Sequence, residues 1–308
     1  MTGHDATAAI DCGTNSTRLL IVGADGTVRT RQMRITRLGQ GVDATNTLSP
    51  AALTRTLDVL RDYRVAMDAE GVGRARLVAT SAVRDATNGE DFLRAASEVT
   101  RCQAELLPGD EEGRLAFRGA TADLDAAEGD DVVVDIGGGS TELITESNGA
   151  IRAVSLQLGC VRLSERYQLQ DPPPAADHAG AVTAIEAELD RAVSEVPELV
   201  GRRPGGRLIG LAGTVSTLAA LDLGLVTYDR SRVHHAVLSG DAVARWCTVL
   251  GAETAAERAT RPGMLEGRQD VIVGGALVLR QVMERLGFAS CLVSESDILD
   301  GLIESLQD

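Results

Sequence analysis

Apolar and polar positions follow two patterns along the chain. Short apolar runs rich in β-branched residues predict buried strands, and the clearest of these, residues 132–134, leads directly into Asp135. Longer segments with an apolar residue every three or four positions predict helices. Strands that alternate with helices indicate an α/β architecture. The longest predicted helices cover residues 50–71, 179–196 and 270–287.

The strand that ends at Asp135 begins a motif that occurs twice. Residues 8–21 read AAIDCGTNSTRLLI and residues 132–145 read VVVDIGGGSTELIT, and the two align at a constant offset of 124 residues. In each copy an apolar strand ends in aspartate, turns through small residues and continues into a second strand. Such a turn can present backbone N–H groups to an anion, whereas an ordinary hairpin would not recur in this form. The identical pairs are Asp11/Asp135, Gly13/Gly137, Ser16/Ser140 and Thr17/Thr141.

The repeat predicts two similar α/β domains, residues 1–124 and 125–308, with a phosphate-binding cleft between them. We expect that the last helix can pack against the first domain. Two further apolar strands are predicted at 76–80 and 207–212. Each is expected to precede a loop and a helix, with loops at 81–88 and 213–214 and helices at 90–100 and 215–221. Linkers or loops are predicted at 122–129, 171–174 and 201–206.

The chain has 308 residues, of which 44% are hydrophobic and 24% are charged. This composition is typical of a soluble globular protein. No apolar run approaches the roughly 20 residues that a membrane span needs. The N-terminus lacks the basic and apolar regions of a signal peptide. Five dispersed cysteines predict free thiols in a reducing cytosol. We therefore expect a cytoplasmic protein, in which the motif residues Cys12 and Cys160 are small buried side chains.

All 30 basic residues are arginine. The absence of lysine excludes the Walker A loop, the protein-kinase ATP lysine and Schiff-base catalysis. A net charge of −15 disfavours nucleic acid and anionic membranes as partners. Between residues 18 and 37, however, five arginines accompany the single acid Asp25. This cluster is either a strand edge protected by charge or a path for a polyanion.

Two further features could carry chemistry. Glu111 and Glu112 begin a predicted helix, and because adjacent helical residues point about 100° apart, only one of them can face a site. Either one could orient water, or both could simply complement the helix dipole. Arg84 follows a strand, where its fork could bind phosphate or form a loop salt bridge. The adjacent His234 and His235 are predicted to point to opposite faces of a strand and to be non-catalytic.

Six motifs, in chain order, resemble those of the exopolyphosphatase/guanosine pentaphosphate phosphohydrolase family. That resemblance implies two actin-like (ribonuclease H-like) domains and a short form of the family, since longer relatives continue into a C-terminal helical region. Arg18 departs from the family pattern, which leaves its role open. The motifs are Asp11-x-Gly-Thr-Asn-Ser16, Thr80-Ser-Ala-Val-Arg84, Gly109-Asp-Glu-Glu112, Asp135-Ile-Gly-Gly-Gly-Ser-Thr-Glu142, Leu158-Gly-Cys-Val-Arg162 and Ala212-Gly-Thr214.

The resemblance implies hydrolysis of terminal phosphates of inorganic polyphosphate, with guanosine pentaphosphate as an alternative substrate. A second copy of the chain is a further candidate partner, as a homodimer. It implies Glu112 as the general base. Asp135 and Glu142 offer the hard oxygen ligands that suit Mg²⁺. The expected phosphate-binding residues are Gly13, Thr14, Asn15, Ser16, Arg84, Gly137, Gly138, Gly139, Ser140 and Thr141. The expected polyphosphate path consists of Arg18, Arg29, Arg31 and Arg34.

Two other functions remain open for such a chain. A small-molecule kinase of the same fold would need an adenosine pocket, to which residues 274–276 could contribute, and a second-substrate pocket that nothing in the sequence supplies. A non-enzymatic alarmone sensor would not need the three carboxylates at 112, 135 and 142. A dinucleotide-binding fingerprint fails on its spacing, because glutamate occupies position 142 where glycine is required.

Overall fold

The structure, a computed structural model, describes residues 6–147, 149–169 and 171–306. The chain forms two compact units. Unit 1 comprises the residues up to Gly119 together with those from Ile298 onward, and unit 2 comprises Ala120–Asp297. The units divide five residues before the predicted boundary at 124/125, and the last helix belongs to unit 1.

Unit 1 is built on a five-stranded sheet with the order β3-β2-β1-β4-β5. β1 pairs antiparallel with β2 and parallel with β4. Its strands are β1 (Ala6–Cys12), β2 (Ser16–Val22), β3 (Val28–Ile35), β4 (Val72–Ala79) and β5 (Ala104–Leu106). Its helices are α1 (Val42–Thr45), α2 (Pro50–Ala69), α3 (Ser81–Arg84), α4 (Gly89–Thr100), α5 (Gly109–Thr121, which ends just inside unit 2) and α13 (Ile298–Ser305).

Unit 2 contains a six-stranded sheet with the order β10-β11-β9-β6-β7-β8. Its strands are β6 (Val132–Ile136), β7 (Thr141–Ser147), β8 (Ala150–Leu156), β9 (Leu208–Leu211), β10 (Val237–Ser239) and β11 (Ser290–Val293). Its helices are α6 (Cys160–Arg166), α7 (Ala175–Glu195), α8 (Ala212–Asp222), α9 (Arg230–Val233), α10 (Gly240–Gly251), α11 (Ala255–Ala259) and α12 (Ile272–Leu286), with a short 3-10 helix at Pro197–Leu199.

The two sheets share one topology. In each, the strand that ends in the motif aspartate pairs antiparallel with the next strand and parallel with a later strand. The order β3-β2-β1-β4-β5 therefore corresponds to β8-β7-β6-β9-β11, and β10 adds an antiparallel edge strand to unit 2. The predicted α/β class with two similar actin-like halves is confirmed, and the sequence repeat coincides with the repeat in the fold.

The long predicted helices are present with ends shifted by a few residues. α2 begins at Pro50 because the Ser49 hydroxyl accepts a hydrogen bond from the Ala52 N–H. Two predicted loops were wrong. Residues 81–84 form α3, and α8 begins at Ala212 instead of at 215. The hydroxyls of Ser216 and Thr217 bond to carbonyls one turn back, so the Ala-Gly-Thr segment is the first turn of the helix.

The C-terminal helix α13 packs against β1 and β2 in unit 1. Its apolar side chains, such as Leu302, are buried. At its edge Asp300 forms an ion pair with Arg31 of β3, with 2.5 Å between Oδ1 and Nη2. Arg76 of β4 donates to the hydroxyl of Ser305 at 3.0 Å. Across the described residues, we find no helix with the length and apolar character needed to cross a membrane.

Candidate active site

The turn between β1 and β2, residues 13–16, forms the first predicted phosphate loop. The Gly13 N–H donates to Ser16 O at 3.0 Å, and the Thr14 and Ser81 hydroxyls lie 2.9 Å apart. The Asn15 carbonyl accepts N–H groups from the segment that follows β3. Asn15 is only 4% exposed, and its Nδ2 has no hydrogen-bond partner among the described residues. A buried amide donor left in this way is costly, so it is a natural contact for a ligand oxygen.

The turn between β6 and β7 forms the second predicted phosphate loop. The N–H groups of Cys160 and Val161, in the first turn of α6, donate to Gly137 O and Gly138 O at 2.9 Å each. The Arg162 Nε donates to Gly139 O at 2.7 Å. Residues of α6 thus donate hydrogen bonds to the carbonyl oxygens of all three glycines. The Thr141 hydroxyl, at the end of the loop, is buried and has no hydrogen-bond partner among the described residues.

Asp135 and Glu142 stand directly opposite each other in the β6/β7 register. Directly opposed residues have Cβ atoms about 4.5–5.5 Å apart on the same face of the sheet. Asp135 is 8% exposed and Glu142 is 1% exposed, and Glu142 Oε1 accepts the Ser155 hydroxyl at 2.7 Å. Two buried carboxylates are thereby brought together beside the second loop.

The adjacent acids of α5 lie in different surroundings. Glu111 forms an ion pair with Arg76 at 3.0 Å, and its side chain is 42% exposed. Glu112 is buried, with its side chain 11% exposed, and its Oε2 lies 3.5 Å from Nη1 of Arg84. Arg84 also donates to Leu107 O at 2.8 Å. The structure brings two predicted site residues of unit 1, Arg84 and Glu112, together.

The four arginines of the predicted polyphosphate path do not share one face of the sheet. Arg18 is opposite Met33 and Arg31 is opposite Leu20, so both lie on the face covered by α13. Arg34 is opposite Thr17 on the other face, where the Tyr63 hydroxyl of α2 reaches Thr17 O. Arg29 lies at a bulge and reaches Glu70 at the end of α2. Among them, Arg18 pairs with Asp11 at 2.6 Å.

One arginine that the sequence analysis did not single out lies against the first turn of α8 in unit 2. Arg268 is buried, and a side-chain methyl at Gly213 would come within 2.0 Å of its guanidinium. A residue with a side chain at 213 would require the guanidinium of Arg268 to shift. Ala212, the preceding residue, has the left-handed φ of 66°. Nothing local in the Ala-Gly-Thr motif indicates a partner that lies 55 residues downstream.

The motif cysteines are buried, as predicted. Burial raises the pKa of the Cys12 thiol well above its usual value, and the charge of Asp11 raises it further. Burial also raises the pKa of Cys160, against the opposing effect of Arg268. Both thiols therefore stay neutral near pH 7, and neither is a nucleophile.

The prediction for the two histidines was wrong in its geometry. They follow α9, outside any strand, and their rings stack with centroids 3.8 Å apart. Both face Asp123, and the three could hold a metal ion by distance alone. The Nδ1 of His234, however, accepts the Glu295 N–H, so in the neutral ring Nε2 carries the proton and donates to Asp123 at 2.8 Å. A protonated nitrogen is not a metal ligand, so this group is a hydrogen-bonded cluster.

Comparison with known proteins identifies the family of this chain. The model of the Ppx/GppA phosphatase family matches residues 23–308. The chain belongs to this family. It is 41% identical to exopolyphosphatase 2 of Mycobacterium tuberculosis, over 97% of this chain and 98% of that protein. It is 32% identical to the guanosine-5'-triphosphate,3'-diphosphate pyrophosphatase of Aeromonas salmonicida, over 97% of this chain and 59% of that protein.

Solved structures agree with this assignment. A crystal structure of an exopolyphosphatase-like protein superposes with a TM-score of 0.90 at 34% identity, over 98% of both chains. The Aquifex aeolicus Ppx/GppA family member gives a TM-score of 0.80 at 31% identity, again over 98% of both chains. The predicted family, and with it a phosphohydrolase that cleaves phosphoanhydride bonds, is confirmed. The roles of individual residues stay predictions.

Proposed function

We propose that this member of the Ppx/GppA family is an exopolyphosphatase that removes terminal phosphates from inorganic polyphosphate with the help of Mg²⁺. The observation that carries the proposal is the pair Asp135 and Glu142, two buried carboxylates directly opposed beside a glycine-rich loop. The similarity to a mycobacterial protein named exopolyphosphatase 2, over nearly the full length of both chains, supports the substrate class.

The carboxylate pair fits Mg²⁺ by its chemistry. Two anionic oxygens side by side repel each other unless a cation lies between or near them, and Mg²⁺ prefers such hard ligands while keeping waters and substrate phosphates. The Ser155 hydroxyl orients one oxygen of Glu142. When bound, the ion would neutralise charge on phosphate oxygens and hold them in place.

Glu112 is the proposed general base. It is buried and lies near a cation, whereas Glu111 is half-exposed and engaged with Arg76. In the proposed step the oxygen of a water molecule forms a bond to the terminal phosphorus, and the bond from phosphorus to the bridging oxygen breaks. The water proton goes to Glu112, and the bridging oxygen leaves on the shortened polyphosphate. Arg84 would stabilise phosphate charge or set the orientation of the Glu112 carboxylate.

The two glycine-containing loops are proposed to hold the phosphates of the substrate in position. Backbone N–H groups and hydroxyls at 13–16 and 137–141 are the proposed phosphate donors, and Asn15 contributes a buried amide. In unit 2, Arg268 adds positive charge next to the first turn of α8. In-line transfer depends mainly on such positioning and charge stabilisation, so the residue types fit a hydrolase without a covalent intermediate.

Hydrolysis of guanosine pentaphosphate is the second candidate. It is favoured by the similarity to a guanosine-5'-triphosphate,3'-diphosphate pyrophosphatase, although this chain spans about 59% of that protein. The same phosphoanhydride chemistry would apply to both substrates. A pure alarmone sensor would not need the carboxylates at 112, 135 and 142, which argues for an enzyme.

The deciding experiment measures phosphate release from long-chain polyphosphate, tripolyphosphate and guanosine pentaphosphate, each with Mg²⁺ and with excess chelator. We expect Mg²⁺-dependent release from polyphosphate at the highest kcat/KM. Release from guanosine pentaphosphate alone would replace the first candidate by the second. Binding of all three without release would leave only the sensor.

A further inference from the structure

Three carbonyl oxygens of the second loop, those of residues 137–139, accept hydrogen bonds from the first turn of α6. Backbone N–H groups bind the first two. A side chain binds the third, because Arg162 Nε donates to Gly139 O at 2.7 Å. A methyl group at Gly159, the residue before α6, would lie 2.2 Å from Gly138 O and 2.5 Å from Gly139 N. The start of α6 therefore lies directly against the backbone of the loop.

The direction of each carbonyl in this loop fixes the direction of the next N–H group. In a trans peptide, the C=O of one residue and the N–H of the following residue point in opposite directions. The carbonyls of residues 137–139 point toward α6, so the N–H groups of residues 138–140 point away from it. Among the described residues, we find no backbone acceptor for any of these three N–H groups. Consecutive N–H groups exposed in this way are the backbone arrangement that binds anions.

A buried hydroxyl without a partner lies next to these N–H groups. Thr141 directly follows them in the chain and is fully buried, and its Oγ1 has no hydrogen-bond partner in the described part of the chain. Gly139 and Ser140 are buried as well. Polar groups in the interior of a protein are almost always paired. The hydroxyl and the N–H groups are therefore natural donors to the oxygens of a bound phosphate.

The repeat contains the same arrangement in unit 1 with a different donor. Asn15 is the counterpart of Gly139 at the offset of 124 residues. Its carbonyl accepts the N–H groups of Thr36 and Arg37, at 3.1 and 2.9 Å. Unit 2 uses the side chain of Arg162 at this point, so a substitution can remove the hydrogen bond while the loop sequence stays unaltered.

We propose that Arg162 is a positioning residue of the second phosphate loop. Its Nε–H group holds the Gly139 carbonyl toward α6, and this keeps the Ser140 N–H directed at a phosphate oxygen of the substrate. The inference rests on the proposed function, because it takes residues 137–141 to be a phosphate site. It makes the hydrogen bond from Nε the essential feature of this arginine, whereas its positive charge is dispensable.

Three substitutions separate the hydrogen bond from the charge. Arg162→Gln places an amide nitrogen at the chain position of Nε and removes the charge, whereas Arg162→Met places a methyl group there and removes both. Arg162→Lys keeps the charge but has a methylene group at that position. Each is made in Glu112→Gln protein, the parent, which should bind substrate without turning it over. Inorganic tripolyphosphate with Mg²⁺ is titrated by calorimetry, and the amide resonance of Ser140 is followed by NMR.

We expect Arg162→Met and Arg162→Lys to raise the Kd roughly tenfold or more, which is the usual effect of losing one hydrogen bond to a charged group. Arg162→Gln should stay within a few-fold of the parent. Tripolyphosphate should shift the Ser140 amide resonance in the parent and in Arg162→Gln, and much less in Arg162→Met. Arg202→Met is the control for stability, since Arg202 also donates to backbone carbonyls of unit 2, those of Leu199 and Leu286. It should lower the melting temperature without changing the Kd.

An unchanged Kd in Arg162→Met would overturn the inference. So would equal rises in Kd for Arg162→Gln and Arg162→Met, because the charge of the arginine and not its Nε donor would then be responsible. If Arg162→Met does not fold, the comparison of Arg162→Gln with Arg162→Lys decides in the same way. If the parent binds no tripolyphosphate, the phosphate role of the loop and that of Arg162 fall together. If the parent binds it but the unaltered enzyme releases no phosphate, the proposed function fails, and the weaker binding of Arg162→Met still supports the assignment.

Discussion

Arg18 and Glu142 occupy equivalent positions in the two copies of the repeat, each directly opposite the aspartate near the end of the preceding strand. In unit 1 this gives an ion pair, with 2.6 Å between Arg18 Nη2 and Asp11 Oδ2. In unit 2 it gives two opposed carboxylates. The same position in the sheet therefore pairs an acid with a base in one copy and sets two acids opposite each other in the other.

The first prediction concerns the metal. Glu142→Gln or Asp135→Asn should each raise the Mg²⁺ concentration that gives half-maximal activity by ~10-fold or more. Losing even a residue that only supports a metal ligand typically weakens metal binding by about that factor. The reason is that each change removes one anionic oxygen ligand. The measurement is phosphate release against Mg²⁺ concentration at saturating polyphosphate.

The repeat supplies the matched control for this prediction. Asp11→Asn makes the same chemical change at the equivalent position, but its carboxylate is already paired with Arg18. Its Mg²⁺ requirement should stay at that of the unaltered enzyme, whatever happens to kcat. Full activity in excess chelator, or an equal shift for Asp11→Asn and Asp135→Asn, would remove the metal role from the pair in unit 2.

The second prediction concerns the base. Glu112→Gln should lower kcat by ~10²–10⁴ with little change in tripolyphosphate binding, because the amide cannot take the proton from water. Glu111→Gln is the neighbouring control. It loses a partly exposed ion pair with Arg76, which is worth only about 0–1 kcal/mol, and should keep kcat within a few-fold. Equal small losses in both variants would mean that the two acids only complement the helix dipole.

The sequence predicted the repeat well because strand, turn and aspartate are all local features. It could not separate Glu111 from Glu112, since their difference depends on Arg76 and Arg84, which come from other segments. It also treated the arginines at 29, 31 and 34 as one line, whereas the bulge in β3 and the pleat of the sheet send them to different faces. Arg268 was missed because its contact with Gly213 exists only in three dimensions.

The third prediction concerns long substrates. If Arg31 belongs to a path for polyphosphate, Arg31→Gln should raise KM for long chains more than for tripolyphosphate, with kcat little changed, because contacts beyond the reacting phosphate add mainly binding. The increase should shrink as salt rises, since added ions already screen such contacts. Steady-state kinetics at two ionic strengths with both substrates measure it.

The ion pair between Arg31 and Asp300 makes a control necessary. Asp300→Asn breaks the same pair but leaves the arginine, so it should not raise KM for long polyphosphate and could lower it. If both variants behave alike, Arg31 serves to hold α13 on the sheet. Arg34→Gln tests the other face of β3, and an effect equal to that of Arg31→Gln would show that the polyanion responds to charge in general and follows no defined path.

The last prediction concerns stability and compares two glycines with opposite surroundings, one in unit 1 and one in unit 2. A methyl group at Gly301 of α13 would lie 2.1 Å from Leu115 O of α5, a backbone atom that cannot move aside alone. Gly301→Ala should therefore lower the free energy of unfolding by about 1–3 kcal/mol, the usual cost of overpacking. Gly251, at the end of α10, has no atom within 4 Å of the same added methyl. Gly251→Ala should stabilise by up to about 1 kcal/mol, because alanine is the better helix former.

Thermal and urea unfolding of the two variants measure this difference in sign. Leu115 lies one turn after Glu112 on α5, so the repacking that Gly301→Ala forces should also lower kcat, whereas Gly251→Ala in unit 2 should leave kcat unchanged. If Gly301→Ala were as stable as the unaltered protein, α13 could move away from α5 at no cost. The close contact that holds the C-terminal helix against the helix of the proposed base would then have no role in its placement.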